Sequence, residues 1–424
     1  MIRIQYASKH TVEELLKRNV PENAAVDEIV NNIIVNVRQN GDKALFDYAA
    51  RFDKAKLESL EVSDDEIADA VAATDDYFKE TLYLAKSNIE EYHRKQLKDG
   101  YEIRRENGVV LGQRVLPLEK VGIYVPGGTA SYPSTVLMNA IPARIANVKE
   151  VIMVTPPNSD GTIAEEILTA AYIAGVDKIF KIGGAGAVAA LAYGTESVPK
   201  VDKIVGPGNV FVATAKRMVF GVVDIDMVAG PSEVLIVADK NANPIYVAAD
   251  LLSQAEHDKL SSSFLITDSE ELALAVADEL ETQIPILERA EIARTAIDNN
   301  GKIIVVSDIN EAIEYANSFA PEHLELAVDK PFELLSSVTN AGSVFLGHHT
   351  PEPMGDYFAG PNHTLPTSGT ARFSSPLGVD DFIKRTSYLY YTEQALSAVS
   401  DRVADFARRE GLTAHAKSIT VRGE

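Results

Sequence analysis

Short runs of β-branched residues alternate with helical stretches between about residues 120 and 350, and this alternation limits the possible folds more than any other feature of the sequence. The runs that we predict as strands are residues 121–125, 151–155, 178–182, 203–205, 234–238, 264–267, 303–307 and 344–346. Strands that alternate with helices form parallel sheets whose faces are covered by the helices. Such sheets bind ligands beyond the carboxyl ends of their strands, so we expect a site there.

The chain divides into four predicted parts. The first hundred residues have helical periodicity, with a capping box between Thr11 and Glu14 and a break at Gly41. A second break, at residues 230–232, separates two α/β blocks. We therefore predict an α/β protein with a mainly helical N-terminal segment, two α/β domains and a C-terminal domain or tail, at residues 1–110, 111–232, 233–378 and 379–424.

The formal net charge of −22 excludes several classes of partner. Nucleic acids and anionic membranes are negative themselves and need lysine or arginine to neutralise them, and the chain has no basic run. No apolar stretch reaches the ~18–20 residues of a membrane-spanning helix, and the first residues lack the pattern of a signal peptide, so we expect a cytoplasmic protein. The sequence contains no cysteine, which excludes disulfides, thiolate metal sites and a catalytic cysteine.

Two polar clusters in the second block combine residue types that suit catalysis. Gln254 and His257 are three residues apart at the end of an apolar predicted helix, so an amide oxygen and an imidazole share one face and can bind one metal ion. Further along, the adjacent Glu322 and His323 offer two proton acceptors of different basicity. Taken alone, the first cluster is better explained as a polar helix end and the second as a capped helix start.

Two more clusters lie nearer the C-terminus. Asp356 and His363 belong to a glycine- and proline-rich segment, which a solvated surface loop explains equally well. Glu410 and His415 lie in the tail, where a mobile polar segment is the simpler explanation. Together the clusters supply imidazoles, a carboxylate and an amide, a set that suits zinc or manganese. Their spacing is too dispersed for a short metal motif, so the residues alone leave a metal centre and a structural role open.

Glycine-rich turns follow several predicted strands. Residues 184–189 match the G-x-G-x-x-A form of the dinucleotide fingerprint, and Asp202 lies at nearly the spacing of the acidic residue that holds the ribose. Residues 122–128 and 206–209 form two further strand-to-loop turns. Several such turns suit a dinucleotide cleft, and they equally suit tight turns that bind nothing.

These clusters and turns lie in segments that resemble the histidinol dehydrogenase family. The matching segments are GIYVPGG (122–128), GPGN (206–209), AGPSEVL (229–235), LLSQAEHD (251–258), APEHLEL (320–326), GDYFAGPNHTLPTSGTARFSSPLGVDDF (355–382) and EGLTAHAKSI (410–419). They span nearly the whole chain in the order of the family. The resemblance implies two Rossmann-like domains and two small ones, an aldehyde-dehydrogenase-like architecture, with NAD on the first large domain and the metal and catalytic residues on the second.

The resemblance also implies roles for individual residues. One zinc ion per subunit is expected on Gln254, His257, Asp356 and His415. Substrate contacts are expected from Ser232, Gln254, His257, His323, Asp356, His363, Glu410 and His415. The expected proton acceptors are Glu322 and His323, and the expected NAD contacts are Tyr124 and Asn209. The family has a glutamine as a further NAD contact where this chain has Gly186. The same substitution creates the G-x-G-x-x-A match, so that match does not count as a fingerprint.

The implied activity is the NAD-dependent oxidation of L-histidinol to L-histidine through L-histidinal, the last steps of histidine biosynthesis. The implied assembly is a homodimer in which the C-terminal tail reaches the active site of the partner. Three other functions stay open on the residues alone: a dehydrogenase of another polar alcohol, such as a sulfonated diol; a zinc hydrolase with Glu322 as its base; and a dimeric binding protein, which the many ionisable residues disfavour.

Overall fold

The computed structural model describes residues 2–18, 24–127 and 131–423. Its strands are β1 (Arg3–Tyr6), β2 (Tyr101–Arg104), β3 (Val110–Pro117), β4 (Lys120–Tyr124), β5 (Glu150–Thr155), β6 (Lys178–Lys181), β7 (Lys203–Val205), β8 (Asp224–Ile225), β9 (Glu233–Ala238), β10 (Ser262–Thr267), β11 (Lys302–Val305), β12 (His323–Ala327), β13 (Ser343–Leu346) and β14 (Ile383–Tyr390). Its helices are α1 (Val12–Leu15), α2 (Ala24–Tyr48), α3 (Asp64–Ala73), α4 (Asp76–Arg94), α5 (Pro133–Ile145), α6 (Glu165–Ala174), α7 (Gly184–Tyr193), α8 (Val210–Val219), α9 (Pro244–Ala255), α10 (Glu270–Gln283), α11 (Ala290–Asn300), α12 (Ile309–Phe319), α13 (Pro331–Leu335), α14 (Glu352–Tyr357), α15 (Glu393–Ser397), α16 (Ser400–Arg409) and α17 (Thr413–Thr420). Among the helices in these ranges, none is long and apolar enough to cross a bilayer.

Two parallel sheets form the centre of the molecule. The first has the strand order β6-β5-β4-β7-β8, and the second has the order β1-β11-β10-β9-β12-β13. If the strands of each block are numbered from its first strand, both sheets have the Rossmann order 3-2-1-4-5, and β1 extends the second sheet at its edge. The predicted α/β fold class is therefore confirmed, and each of the eight predicted strands is present to within two residues at either end.

The structure also contains strands that the sequence patterns did not predict. The N-terminal segment was predicted to be helical, but β1 pairs in parallel with β11. The cluster at Glu322 and His323 is not a helix start, because His323 begins β12 and every residue of that strand is buried. The C-terminal part was interpreted as helix and loop, but it begins with β14, which pairs antiparallel with β3. In all three cases the decisive hydrogen bonds join residues far apart in sequence.

The helical N-terminal segment contains the helix cap and the helix break that the sequence predicted. Thr11 and Glu14 form the predicted capping box at the start of α1. In α2, Gly41 has a φ of 53°, which interrupts the helix as the sequence indicated. On both sides of this kink, the apolar face of α2 packs against α7 and α8.

By contact density the chain forms two compact units. The first comprises residues 1–96 and 119–382 and contains both parallel sheets. The second comprises residues 97–118 and 383–424. It consists of the antiparallel sheet β14-β3-β2 followed by α15, α16 and α17, with α16 packed on α17 around a small alanine core.

Candidate active site

A set of buried polar side chains lies at the amino edge of the second sheet, where β9 and β12 begin side by side. Glu233 is the first residue of β9, and His323, the first residue of β12, is paired with Val234. Glu233, Glu322 and His323 are 3%, 6% and 3% exposed. Ionisable groups are rarely buried without a partner, so this edge is the strongest candidate for a site in the first unit.

The ring of His323 is held in one tautomer. Its Nδ1 lies 3.0 Å from the backbone oxygen of Glu233, and a carbonyl oxygen can only accept a hydrogen bond, so Nδ1 carries the proton. Its Nε2 is buried and has no hydrogen-bond partner among the described residues. In the neutral ring with this tautomer, Nε2 is the nitrogen that can accept a proton from a ligand.

Glu322 lies beside His323 and is held by the start of β9. Its Oε2 accepts a hydrogen bond from the backbone N–H of Glu233 at 2.9 Å, and the hydroxyl of Ser232 also donates to this carboxylate. Burial raises the pKa of Glu322 well above its ordinary value. The same Oε2 is 3.9 Å from Nδ1 of His323, so the two predicted proton acceptors share one pocket.

A group of side chains of the types that can bind a metal ion lies next to this pair. Single ligand atoms of His257, Glu352 and Asp356 all lie within 4.8 Å of one another. The side chain of Gln254 is buried on α9, and its Oε1 has no hydrogen-bond partner in the described part of the chain. An amide oxygen without a partner, an imidazole and two carboxylates are together a donor set that suits a divalent ion such as zinc.

The charge balance of this group also favours a cation. Burial and the neighbouring Glu352 raise the pKa of Asp356 to about 8. Within the described ranges, the only basic groups at ion-pair distance from Glu352 and Asp356 belong to His323 and His363. Burial lowers the pKa of His363 to about 4, so that ring is neutral. Carboxylates that neither lysine nor arginine neutralises are suited to a bound metal ion.

His363 connects the site to the first α/β block. Its Nδ1 lies 3.1 Å from the backbone oxygen of Asp356, so Nδ1 donates. Its Nε2 is 3.4 Å from Oγ1 of Thr135, a buried residue of α5. The next residue back, Asn362, donates to the backbone oxygen of Met138 on the same helix. The predicted substrate residue is thus fixed between the two blocks of the first unit.

Two predicted site residues belong to the second unit. Glu410 and His415 are both exposed there. Both line a groove of about 540 Å³ between α16 and α17, whose other walls are mainly apolar. Exposed side chains in this groove include Val403, Phe406 and Leu412.

The predicted NAD contacts lie at the carboxyl edge of the first sheet. Tyr124 ends β4, and its hydroxyl accepts a hydrogen bond from the backbone N–H of Gly184 at 3.0 Å. Asn209 caps α8 by accepting from two backbone N–H groups. Gly186 is buried in α7, and a Cβ at this position would lie 3.1 Å from the ring of Tyr48. Gly128, at the end of one predicted turn, lies outside the described residues.

Asp202 does not fit the role that the glycine fingerprint suggested. It precedes β7, so it lies at the amino edge of the first sheet. Its carboxylate accepts hydrogen bonds from the backbone N–H groups of Glu119 and Lys120. The carboxylate therefore fastens the turn into β4, and the interpretation of Asp202 as a ribose-binding residue is wrong.

The sequence patterns missed Glu352 and the residues around it. Glu352 is 1% exposed and starts α14, which also carries Asp356. Glu325, on β12, accepts from the backbone N–H of Glu352 at 2.8 Å and shares a hydrogen bond with Asp250. The only sequence signal for this pair is the spacing of four between Glu352 and Asp356, and the proline and glycine between them are typical of a loop rather than a helix.

Comparison with known proteins identifies similar sequences and structures. The family model described as histidinol dehydrogenase matches residues 16–423. The chain is 57% identical over 410 residues to a histidinol dehydrogenase of Clostridium acetobutylicum, covering 97% of this chain and 95% of that protein. It is 52% identical over 423 residues to one of Bacillus cereus, covering 100% and 96%. The crystal structure of histidinol dehydrogenase from Elizabethkingia anophelis superposes with a TM-score of 0.93 at 39% identity, covering 99% and 98%.

Proposed function

The chain belongs to the histidinol dehydrogenase family of oxidoreductases, and we propose that it oxidises L-histidinol to L-histidine through L-histidinal, with NAD as the oxidant. The balanced reaction takes L-histidinol, two NAD⁺ and one water to L-histidine, two NADH and three protons. Each oxidation removes a hydride from the same carbon atom and needs one proton acceptor. The adjacent Glu322 and His323 supply the two acceptors.

The observation that carries this proposal is the free Nε2 of His323. Because Nδ1 donates to the backbone of Glu233, the neutral ring presents its proton-accepting nitrogen, Nε2, to the site. His323 therefore takes the hydroxyl proton of the alcohol as the hydride leaves carbon. A rigid base in a buried position needs no reorientation before the reaction.

Glu322 serves the second oxidation. Its carboxylate takes a proton from the water that adds to the aldehyde carbon, and the resulting hydrate loses the second hydride. The hydrogen bonds from Ser232 and from the backbone of Glu233 aim the carboxylate. A thioester route is excluded because the chain contains no cysteine.

The donor set at α9 and α14 supports zinc as the metal. Gln254, His257 and Asp356 of one subunit would hold the ion. His415 of the other subunit in the proposed dimer would be the fourth ligand. When bound, zinc orients the amino and imidazole nitrogens of the substrate. Ser232, His363 and Glu410 would contact the rest of the substrate. The orphaned Oε1 of Gln254 supports this assignment, because a buried amide oxygen without a partner is costly.

The first sheet supports a nucleotide site at its carboxyl edge. Its strand order changes direction between β4 and β7, the position where open α/β sheets form a crevice. Tyr124 is the last residue of β4, and Asn209 caps α8 after β7, so both flank this crevice. We therefore propose that these two residues contact NAD. Gly186 offers no side chain for such a contact.

We also propose a cytoplasmic homodimer with shared active sites. Glu410 and His415 would complete the site of the other subunit. The apolar groove that they line supports this assembly, since an exposed apolar patch with a polar rim is typical of a protein interface. The occupant of the groove would be a second copy of this chain.

The proposal is tested by adding L-histidinol and NAD to the purified protein and measuring NADH absorbance. We expect two NADH per histidinol with little free histidinal. One NADH per substrate with accumulating aldehyde contradicts the two-step oxidation. NADH formation only with a sulfonated diol identifies a related dehydrogenase instead, and hydrolysis without any use of NAD identifies a zinc hydrolase.

A further inference from the structure

We propose that Arg18 is a positioning residue for both proton acceptors and acts through the ion pair that it forms with Glu233. This inference rests on the proposed function, and Arg18 is not among the residues that the family resemblance implies. The acceptors Glu322 and His323 are both hydrogen-bonded to the backbone of Glu233. Any contact that fixes Glu233 therefore helps to fix both acceptors.

The guanidinium of Arg18 binds the carboxylate of Glu233 at two points. Its Nε donates to Oε1, and its Nη2 donates to Oε2 at 3.0 Å. The side chains of Arg18 and Glu233 are 19% and 3% exposed, so the pair is largely shielded from water. A two-point contact between a planar guanidinium and a carboxylate fixes the orientation of both groups, which a single contact from a lysine does not do.

Arg18 also holds the segment that leads into β12. Its Nη2 donates to the backbone oxygen of Phe319 at 2.7 Å, and its guanidinium lies 3.7 Å from the centre of the Phe319 ring. Phe319 is the last residue of α12, and Ala320 then has a left-handed φ of 52° before the chain reaches Glu322. One side chain thus connects the start of β9 to the segment that precedes the two acceptors.

The carboxylate of Glu233 has further partners in the same network. The backbone N–H groups of Glu322 and Ser368 also donate to it. Glu233 and Glu322 therefore exchange hydrogen bonds, because each carboxylate accepts from the backbone of the other residue. Ser368 has a left-handed φ of 56°, a conformation that costs free energy in a residue other than glycine and that the surrounding contacts must maintain. Loss of Arg18 would leave the buried carboxylate without its cation, so this arrangement would no longer be fixed.

A purely structural role would also account for a buried ion pair, but it predicts a different result. In that case the loss of Arg18 lowers the free energy of unfolding and leaves the rate of each folded site unchanged. A positioning role predicts a lower rate in folded protein, because a displaced base accepts protons more slowly. The KM for NAD should not change, since NAD is assigned to the first α/β block.

Arg294 provides a matched control for the loss of an arginine that is paired with a glutamate. It binds Glu281 at two points, with both distances 2.8 Å. This pair joins α10 to α11 and not β9 to α12. Arg294→Met therefore removes the same kind of contact without removing a partner of Glu233.

The experiment compares the full-length wild type with Arg18→Met, Arg18→Lys and Arg294→Met. Urea unfolding gives the stability and the folded fraction of each protein. Single-turnover rates per folded site are measured from histidinol and from histidinal, and the KM for NAD is measured separately. We expect Arg18→Met to slow both oxidations by about 10²-fold, the usual effect of a displacement of about 1 Å, with little change in the KM for NAD. Arg18→Lys should slow them less, because the charge remains and only the two-point contact is lost. Arg294→Met should leave both rates unchanged.

Wild-type rates per folded site in Arg18→Met would overturn the inference, and so would an equal loss of rate in Arg294→Met. A raised KM for NAD with unchanged single-turnover rates would also overturn it, because Arg18 would then act on binding. If Arg18→Met does not fold, Arg18→Lys decides the question, and wild-type rates in that variant overturn the inference. A wild type that forms no NADH from histidinol contradicts the proposed function instead, so the two failures are distinguishable.

Discussion

The two α/β blocks have the same strand order, but their candidate sites lie at opposite edges of the sheets. In the first block the proposed nucleotide site lies at the carboxyl edge, where Tyr124 ends β4 and Asn209 follows β7. In the second block the proposed proton acceptors Glu322 and His323 are buried at the amino edge, beside Glu233. We expected a ligand site at the carboxyl edge of such sheets, and for the proposed catalytic residues this expectation is wrong.

At the carboxyl edge of the second sheet, the acidic side chains that follow two of the strands take part in a hydrogen-bonded network. Asp239 and Asp329 follow β9 and β12, the strands where that crevice would open. Asp239 accepts hydrogen bonds from the backbone of Asn241 and Asp329, and the side-chain amide of Asn241 donates to Asp329. The remaining oxygen of Asp329 lies 3.3 Å from the ring of His348. Strand order determines where a crevice can form, and the side chains that line it determine what it can bind.

The largest expected effect tests which edge of the second sheet binds the metal. A strong chelator should abolish turnover, and His257→Asn should remove most of the bound zinc, because the ion loses an imidazole ligand. His348→Asn is the matched control, since it removes a histidine from the opposite edge. Zinc content by elemental analysis and NADH formation check this. Full turnover of rigorously metal-free protein, or equal zinc loss in both variants, would contradict the assignment.

The next effect separates the two acceptors at the amino edge. Glu322→Gln should slow the oxidation of histidinal by about 10²–10⁴-fold, because an amide cannot take the proton of water. The oxidation of histidinol should change much less, since His323 remains. Single-turnover measurements starting from each substrate give both rates in one protein. Equal losses in the two half-reactions would show that the roles are not divided in this way.

A smaller effect tests whether the amino edge is completed by the second unit of another subunit. We expect His257→Ala and His415→Ala to be inactive as homodimers. In a mixed dimer, one site carries both defects and the other carries none. Random mixing makes half of the dimers mixed, so activity should return to about a quarter of wild type. No recovery, although a tagged pull-down shows that mixed dimers formed, would rule out shared sites.

The smallest effect compares one helix cap in each block. Asn209 caps α8 by accepting from two backbone N–H groups, and Asn243 caps α9 by accepting from one. Changing either to alanine should cost about 1 kcal/mol of unfolding free energy, measured with urea. Only Asn209→Ala should raise the KM for NAD, because only the first block is assigned to the nucleotide. A similar rise in Asn243→Ala would remove the functional contrast between the blocks.

Local patterns in the sequence were sufficient to predict much of the fold. The alternation of apolar strands and helices predicted both parallel sheets, because each strand is a short buried run and each helix repeats its own period. The capping box at Thr11 and the kink at Gly41 were equally visible, since they depend on residues within one turn. The residue types at Gln254, His257, Glu322 and His323 also indicated metal and proton chemistry before their positions were known.

Tertiary structure alone decided how these residues act. His323 was compatible with a helix start until β12 paired with β9, which put its ring against the backbone of Glu233, ninety positions earlier in the sequence. That contact selects the tautomer and leaves Nε2 open. Glu352 joined His257 in one cluster only when α14 packed against α9. No local pattern records such contacts, because their free energy comes from burial and pairing between segments that the chain brings together only on folding.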